Sequence, residues 1–143
     1  MAEDPFDLQR FVHAQADTFE NAIGELRDGR KRTHWMWFIF PQLRGLGRSS
    51  TAQFYGIASL DEAVAYLAHP VLGPRLDLAT RTVLATNGLS LREIFGSPDD
   101  LKFHSSMSLF AMACQVADNP FRAALDRWFA GKMDEASRDI LKG

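Results

Sequence analysis

Thr33-His34-Trp35-Met36-Trp37-Phe38-Ile39-Phe40-Pro41 is the stretch whose reading decides the fold. Its aromatic enrichment favours a strand by propensity. A strand needs a partner, however, and no other stretch of the chain offers a good second strand. A lone strand would leave its backbone N–H and C=O groups unsatisfied. Thr33 is an acceptable N-cap, and Pro41 disfavours helical backbone just before it. The run therefore reads as a short buried helix from His34 to Phe40, and the fold class as all-α.

The flanking segments carry helix punctuation throughout. Asp4-Pro5 predicts a first helix with Asp4 as N-cap and proline at the first helical position. Asp17-Thr18-Phe19-Glu20 resembles a capping box opening a second helix that ends near Gly29. Ser49 or Ser50 caps a short helix that ends at Gly56. Ser59-Leu60-Asp61-Glu62 opens another, with Leu60, Ala63, Val64 and Leu67 inward. His69-Pro70 breaks that helix, Gly73-Pro74 restarts one, and Asp77 and Arg81 support it as an i,i+4 pair.

Ser90-Leu91-Arg92-Glu93 starts a short piece ending at Gly96. Ser97-Pro98-Asp99-Asp100 predicts a central helix, apolar nearly all round, to about Ala117. Asn119-Pro120 opens the next helix, and Met133 to Leu141 is a weak terminal one. The sum is about eight helices with short connections, forming one compact domain over residues 1–143.

Composition narrows the class. The chain has 143 residues, 46% hydrophobic and 24% charged, as ordinary globular proteins have. A net charge of −2 argues against general affinity for nucleic acid. The single cysteine, Cys114, cannot form an internal disulfide and sits in an apolar run, so a buried inert thiol is expected. No run approaches the ~18 apolar residues of a membrane span, and the N-terminus lacks an apolar signal core. These features point to the cytoplasm. No HxxxH or HxH spacing calls for a metal, and no motif calls for a cofactor.

Asp4-Pro5-Phe6, the run Lys31 to Gln42, Gly45-Leu46-Gly47-Arg48-Ser49-Ser50, His69-Pro70-Val71-Leu72-Gly73 and Ile94-Phe95-Gly96-Ser97 together carry a resemblance. The chain resembles the bacterial family catalogued as domain of unknown function 1810, whose members are sometimes labelled calpastatin. The resemblance implies a helical, single-domain cytoplasmic protein and supplies no reaction. A calpain inhibitor works as an extended chain that folds on its target, whereas this composition is that of a packed domain.

Candidate chemistry gathers at the edges of the aromatic run. His34, placed in the first turn of a helix, is the candidate acid–base group. Trp35 and Trp37 point in different directions on a helix, so an indole is available to stack on a planar ligand. Gln42 supplies an orienting amide. Gly45 to Ser50 resembles an anion loop: glycines free the backbone, Arg48 can grip phosphate or carboxylate with two prongs, and Ser49 and Ser50 add hydroxyls at a helix start. Arg44 adds charge beside it.

From Arg27 to Arg48 six basic residues face Asp28 alone, a local charge of +5 that leaves −7 for the remainder. Lys102 and Ser106, one turn apart on the central helix, are placed to face this stretch across a cleft. The leading expectation is a domain that binds an anionic, phosphorylated or nucleotide-like small molecule, with hydrolysis conceivable. The alternative is an interaction module that docks an acidic protein partner through Arg30 to Arg32.

Overall fold

The computed structural model describes residues 4–142. Among them are ten helices, and the only β pairing is an isolated parallel bridge between Leu43 and Ile57. The all-α class holds. In chain order the helices are α1 Gln9–Ala16, α2 Phe19–Arg27, α3 Met36–Ile39, α4 Ser50–Tyr55, α5 Leu60–Ala68, α6 Leu72–Leu84, α7 Leu91–Phe95, α8 Asp99–Ala113, α9 Pro120–Phe129 and α10 Glu135–Lys142.

Helix α8 is the axis. α5, α7, α9 and α10 pack against it, while α6 bridges α2, α5 and α9. Nine consecutive positions, Ser105 to Ala113, include only Met112 as an exposed residue. A helix covered on nearly every side must carry few charges, and within α8 no Asp, Glu, Lys or Arg follows Lys102. The helix stops at Ala113, four residues earlier than the apolar pattern suggests, because Cys114 turns into extended backbone. Asn119 then holds the connection, donating from its amide to the Val116 carbonyl and capping α9 through the Arg122 N–H. Cys114 is consequently half-buried, not enclosed.

The aromatic run is helical, but for a single turn only. α3 begins at Met36, not His34, because Thr33 is occupied elsewhere: its N–H and hydroxyl both donate to Glu25. Trp35, Met36, Ile39 and Phe40 are all buried. The Phe40 ring meets Phe103 of α8 edge-on at 5.1 Å and Phe95 of α7 at 5.8 Å, which ties the run to the axis.

Other caps differ in detail from the sequence pattern. Asp4 is not the N-cap of α1, a position that Leu8 occupies; it lies a turn earlier and accepts the N–H groups of Leu8 and Gln9, so α1 starts at Gln9 and not at Pro5. Thr18 makes no side-chain cap for α2, so the Asp17–Glu20 box does not form. Ser59 caps α5 as expected, yet Glu62 turns to the Ala58 N–H and to Arg10 instead of closing a box. That rotation puts Glu62, Ala63 and Tyr66 inward and leaves Val64 exposed. The start of α7 at Ser90, the Asn119 cap and the Asp77–Arg81 pair are as the sequence indicates, and Ser90 and Glu93 there close a full capping box.

Candidate functional site

A cleft of about 470 Å³ opens between four wall segments, a size typical of small-molecule sites (~300–1,000 Å³). Trp37 and Gln42 come from α3 and the segment after it. Leu46, Gly47, Arg48, Ser49 and Ala52 come from the glycine-rich loop and α4. Pro98, Leu101, Lys102 and Ser105 come from the start of α8, and Asp134 and Ala136 from the start of α10.

Each wall is held by its own contacts. The loop lies close on α4: a Cβ added to Gly47 would come within 2.6 Å of the Ala52 Cβ, so a glycine is required there for space. Ser49 caps α4 by accepting the Ala52 N–H at 3.0 Å, which leaves its own hydroxyl proton free to donate. The Leu43–Ile57 bridge pins the two ends of the loop: the Arg44 N–H donates to Ile57 O, and the Ile57 N–H to Gln42 O.

Lysine and tryptophan interlock on the opposite wall. The Lys102 ammonium lies 4.5 Å from the centroid of the Trp37 ring and 3.3 Å from Asp99. Asp99 also receives Lys31 at 2.9 Å, and Lys31 lies over the Trp35 ring at 5.2 Å. Asp99 thus fixes two cations, each resting on an indole. This arrangement holds Lys102 at the cleft wall in a defined position.

Several polar heads in the cleft are unspent. Among the described residues the Arg48 guanidinium makes no ion pair or hydrogen bond, and neither does the Gln42 side-chain amide. Only the Arg48 backbone carbonyl is engaged, by the Gln53 amide.

A family model described as "Protein of unknown function (DUF1810)" matches residues 5–141. This chain belongs to the DUF1810 family. The crystal structure of the conserved hypothetical protein Rv1873 from Mycobacterium tuberculosis is similar to this DUF1810 chain, at 54% identity and a TM-score of 0.95, covering 98% of this chain and 99% of that one. No functionally curated protein matches.

The sequence-derived candidates divide on this DUF1810 fold. Trp37, Gln42, Arg48, Ser49 and Lys102 line one cleft. Trp35 does not join them: it is fully buried and its indole N–H donates to Glu25 at 3.1 Å. His34 is exposed on the bend ahead of α3 and lies outside the cleft lining, not in a helical first turn. Arg44 folds back onto the carbonyls of Gln53 and Gly56, and Ser50 is exposed beyond the lining.

Ser106 also lies outside the lining, fully buried with its hydroxyl unpartnered among the described residues. Its neighbour Ser105 reaches the cleft instead, because one position along a helix rotates a side chain by about 100°. The polar lining residues that the sequence does not single out are Asp134 and Ser105. Asp134 carries a readable signal as the N-cap of α10, three residues before Ser137, but nothing in its local sequence connects it to a cleft.

The basic stretch is less basic in space than in sequence. Lys31 is paired with Asp99, Arg32 with Asp28, and Arg44 is consumed by carbonyls. A larger depression of about 740 Å³ between the ends of α8 and α10 is lined by Met112, Met133 and Leu141 with Lys132, Glu135 and Arg138. It offers no aromatic ring.

Proposed function

We propose that this domain binds a small anionic ligand bearing a planar or ring moiety, of phosphorylated or nucleotide-like chemistry. The observation that supports it is the convergence of Trp37, Gln42, Arg48, Ser49 and Lys102 on one cleft, with the Arg48 guanidinium and the Gln42 amide free of partners among the described residues. Arg48 and Lys102 meet the anionic group, Arg48 through two parallel N–H donors. Ser49 adds a hydroxyl donor. Trp37, half-buried in the cleft wall, offers its ring to the planar moiety. Gln42 orients the ligand by its amide. His34 lies outside the cleft lining, so the reading is of binding and assigns no hydrolytic step.

Stabilisation of the fold by ligand tests this. Adenosine monophosphate, ribose 5-phosphate and phenyl phosphate at concentrations well above their dissociation constants raise the melting temperature, since a ligand that binds only the folded state adds RT ln(1 + [L]/Kd). Arg48→Ala weakens the binding of each about tenfold or more, the scale of a lost charge-assisted hydrogen bond. No shift with any of the three, or an undiminished shift in the variant, would overturn the reading.

A further inference from the structure

Asp134 adds a group of opposite sign to a cleft otherwise furnished with cations. Its Oδ2 accepts the Ser137 N–H at 3.0 Å, the Ser137 hydroxyl at 2.7 Å and the Ser105 hydroxyl at 3.2 Å. Its backbone N–H donates to the Ser108 hydroxyl at 2.8 Å. These partners lie on α8 and α10, so the carboxylate is held from two helices and its orientation is set before any ligand arrives. Oδ1 accepts no hydrogen bond, and no cation pairs with Asp134, among the described residues.

A rigid carboxylate with one open oxygen is a strong acceptor and a poor neighbour for a bare anion. A free inorganic anion would gain Arg48 and Lys102 and suffer repulsion from Asp134. A ligand that carries its anionic group at one end and hydroxyl donors at the other satisfies both sets of groups. Vicinal sugar hydroxyls against a fixed carboxylate are a recurrent solution to ribose recognition. The cleft volume of about 470 Å³ has room for such a molecule.

We propose that the cleft recognises a ribose-bearing phosphate ester, whose phosphate meets Arg48 and Lys102 and whose vicinal hydroxyls donate to Asp134. This rests on the anion-binding reading of the same cleft and names the ligand class within it. Asp134 is then the selectivity residue, separating a ribosyl phosphate from an anion that lacks hydroxyls.

The test titrates the full chain with adenosine monophosphate, its 2′,3′-dideoxy analogue and phenyl phosphate by calorimetry, in the wild type and in the Arg48→Ala and Asp134→Ser variants. Serine at position 134 retains N-cap capacity for α10 but is too short to present a second oxygen. The wild type binds adenosine monophosphate about tenfold or more tightly than the dideoxy analogue, as for hydrogen bonds to a charged acceptor. Asp134→Ser loses that ratio, and Arg48→Ala weakens both nucleotides while keeping it. A ratio is unaffected by any general loss of stability in the variant.

Equal wild-type affinity for the two nucleotides, or an unchanged ratio in Asp134→Ser, overturns this inference. If phenyl phosphate binds through Arg48 while adenosine monophosphate does not, ribose recognition falls and anion binding stands. If none of the three binds, both fall.

Discussion

The Glu25 carboxylate collects four donors from one short stretch: the N–H groups of Arg32 and Thr33, the Thr33 hydroxyl and the Trp35 indole. Desolvation pushes its pKa upward, but the bonds from Thr33, Arg32 and Trp35 outweigh it and hold the group at about 2, against an ordinary value of 4.5. A folded-state pKa below the unfolded one means that the unfolded chain binds the proton more readily. The contribution to stability is therefore complete above about pH 4.5 and is lost as the pH falls towards 2. Glu25→Gln should melt well below the wild type at pH 7, and the gap should narrow as unfolding is repeated down to pH 2.5. A gap independent of pH would show that the charge is not what matters. None of this was legible from the residues, because a glutamate on a helix reads as solvated surface. Its partners lie beyond Gly29, where the chain reverses, and a reversal angle is not written in spacing.

At the scale of the element, helix positions followed the caps and breakers in the sequence, and helix faces followed it less well. Pro41, Gly56, His69-Pro70 and Gly96 all end or separate elements where their backbone chemistry requires it. His69 does more than interrupt: its Nδ1 accepts the N–H groups of Val71 and Leu72, capping the start of α6. Periodicity misplaces the face of α5 because Glu62 is buried as the partner of Arg10, and periodicity scores glutamate as polar and outward. Gly73 carries the sharpest constraint on how α5 and α6 meet. A Cβ there would lie 2.1 Å from the Leu67 carbonyl oxygen, a backbone atom that cannot swing aside. Gly73→Ala should cost about 2–4 kcal/mol through forced separation of the two helices, read as a lower denaturation midpoint. A loss below about 0.5 kcal/mol, the level of ordinary surface changes, would mean that this contact is not rigid.

Across the whole molecule, one ion pair joins the first helix to the middle of the chain. Arg10 reaches Glu62 at 2.7 Å with both side chains almost fully enclosed, and also donates to the carbonyls of Phe6, Asp7, Phe54 and Gly56. Arg10→Ala leaves a buried carboxylate without its cation and should destabilise the fold by about 3–5 kcal/mol. Chemical denaturation with an unchanged m-value would report it cleanly, and a loss under 1 kcal/mol would contradict the assignment. The sequence disclosed the class of the fold and five of the cleft residues, since these sit beside strong local punctuation. It did not disclose Asp134, because a cleft is a property of four segments meeting and each segment alone looks like an ordinary helix end.

The walls of that cleft span from Trp37 to Ala136, about a hundred positions apart. During stepwise synthesis the aromatic wall emerges first and stands without its counterpart until α10 has left the ribosome. Ligand binding as proposed for this cleft would therefore require α10: a product clipped before Asp134 keeps Trp37 and Arg48 yet lacks the wall that Asp134 and Ala136 supply. A ligand of the proposed site would thus separate folded chains that carry α10 from nascent or clipped ones that lack it.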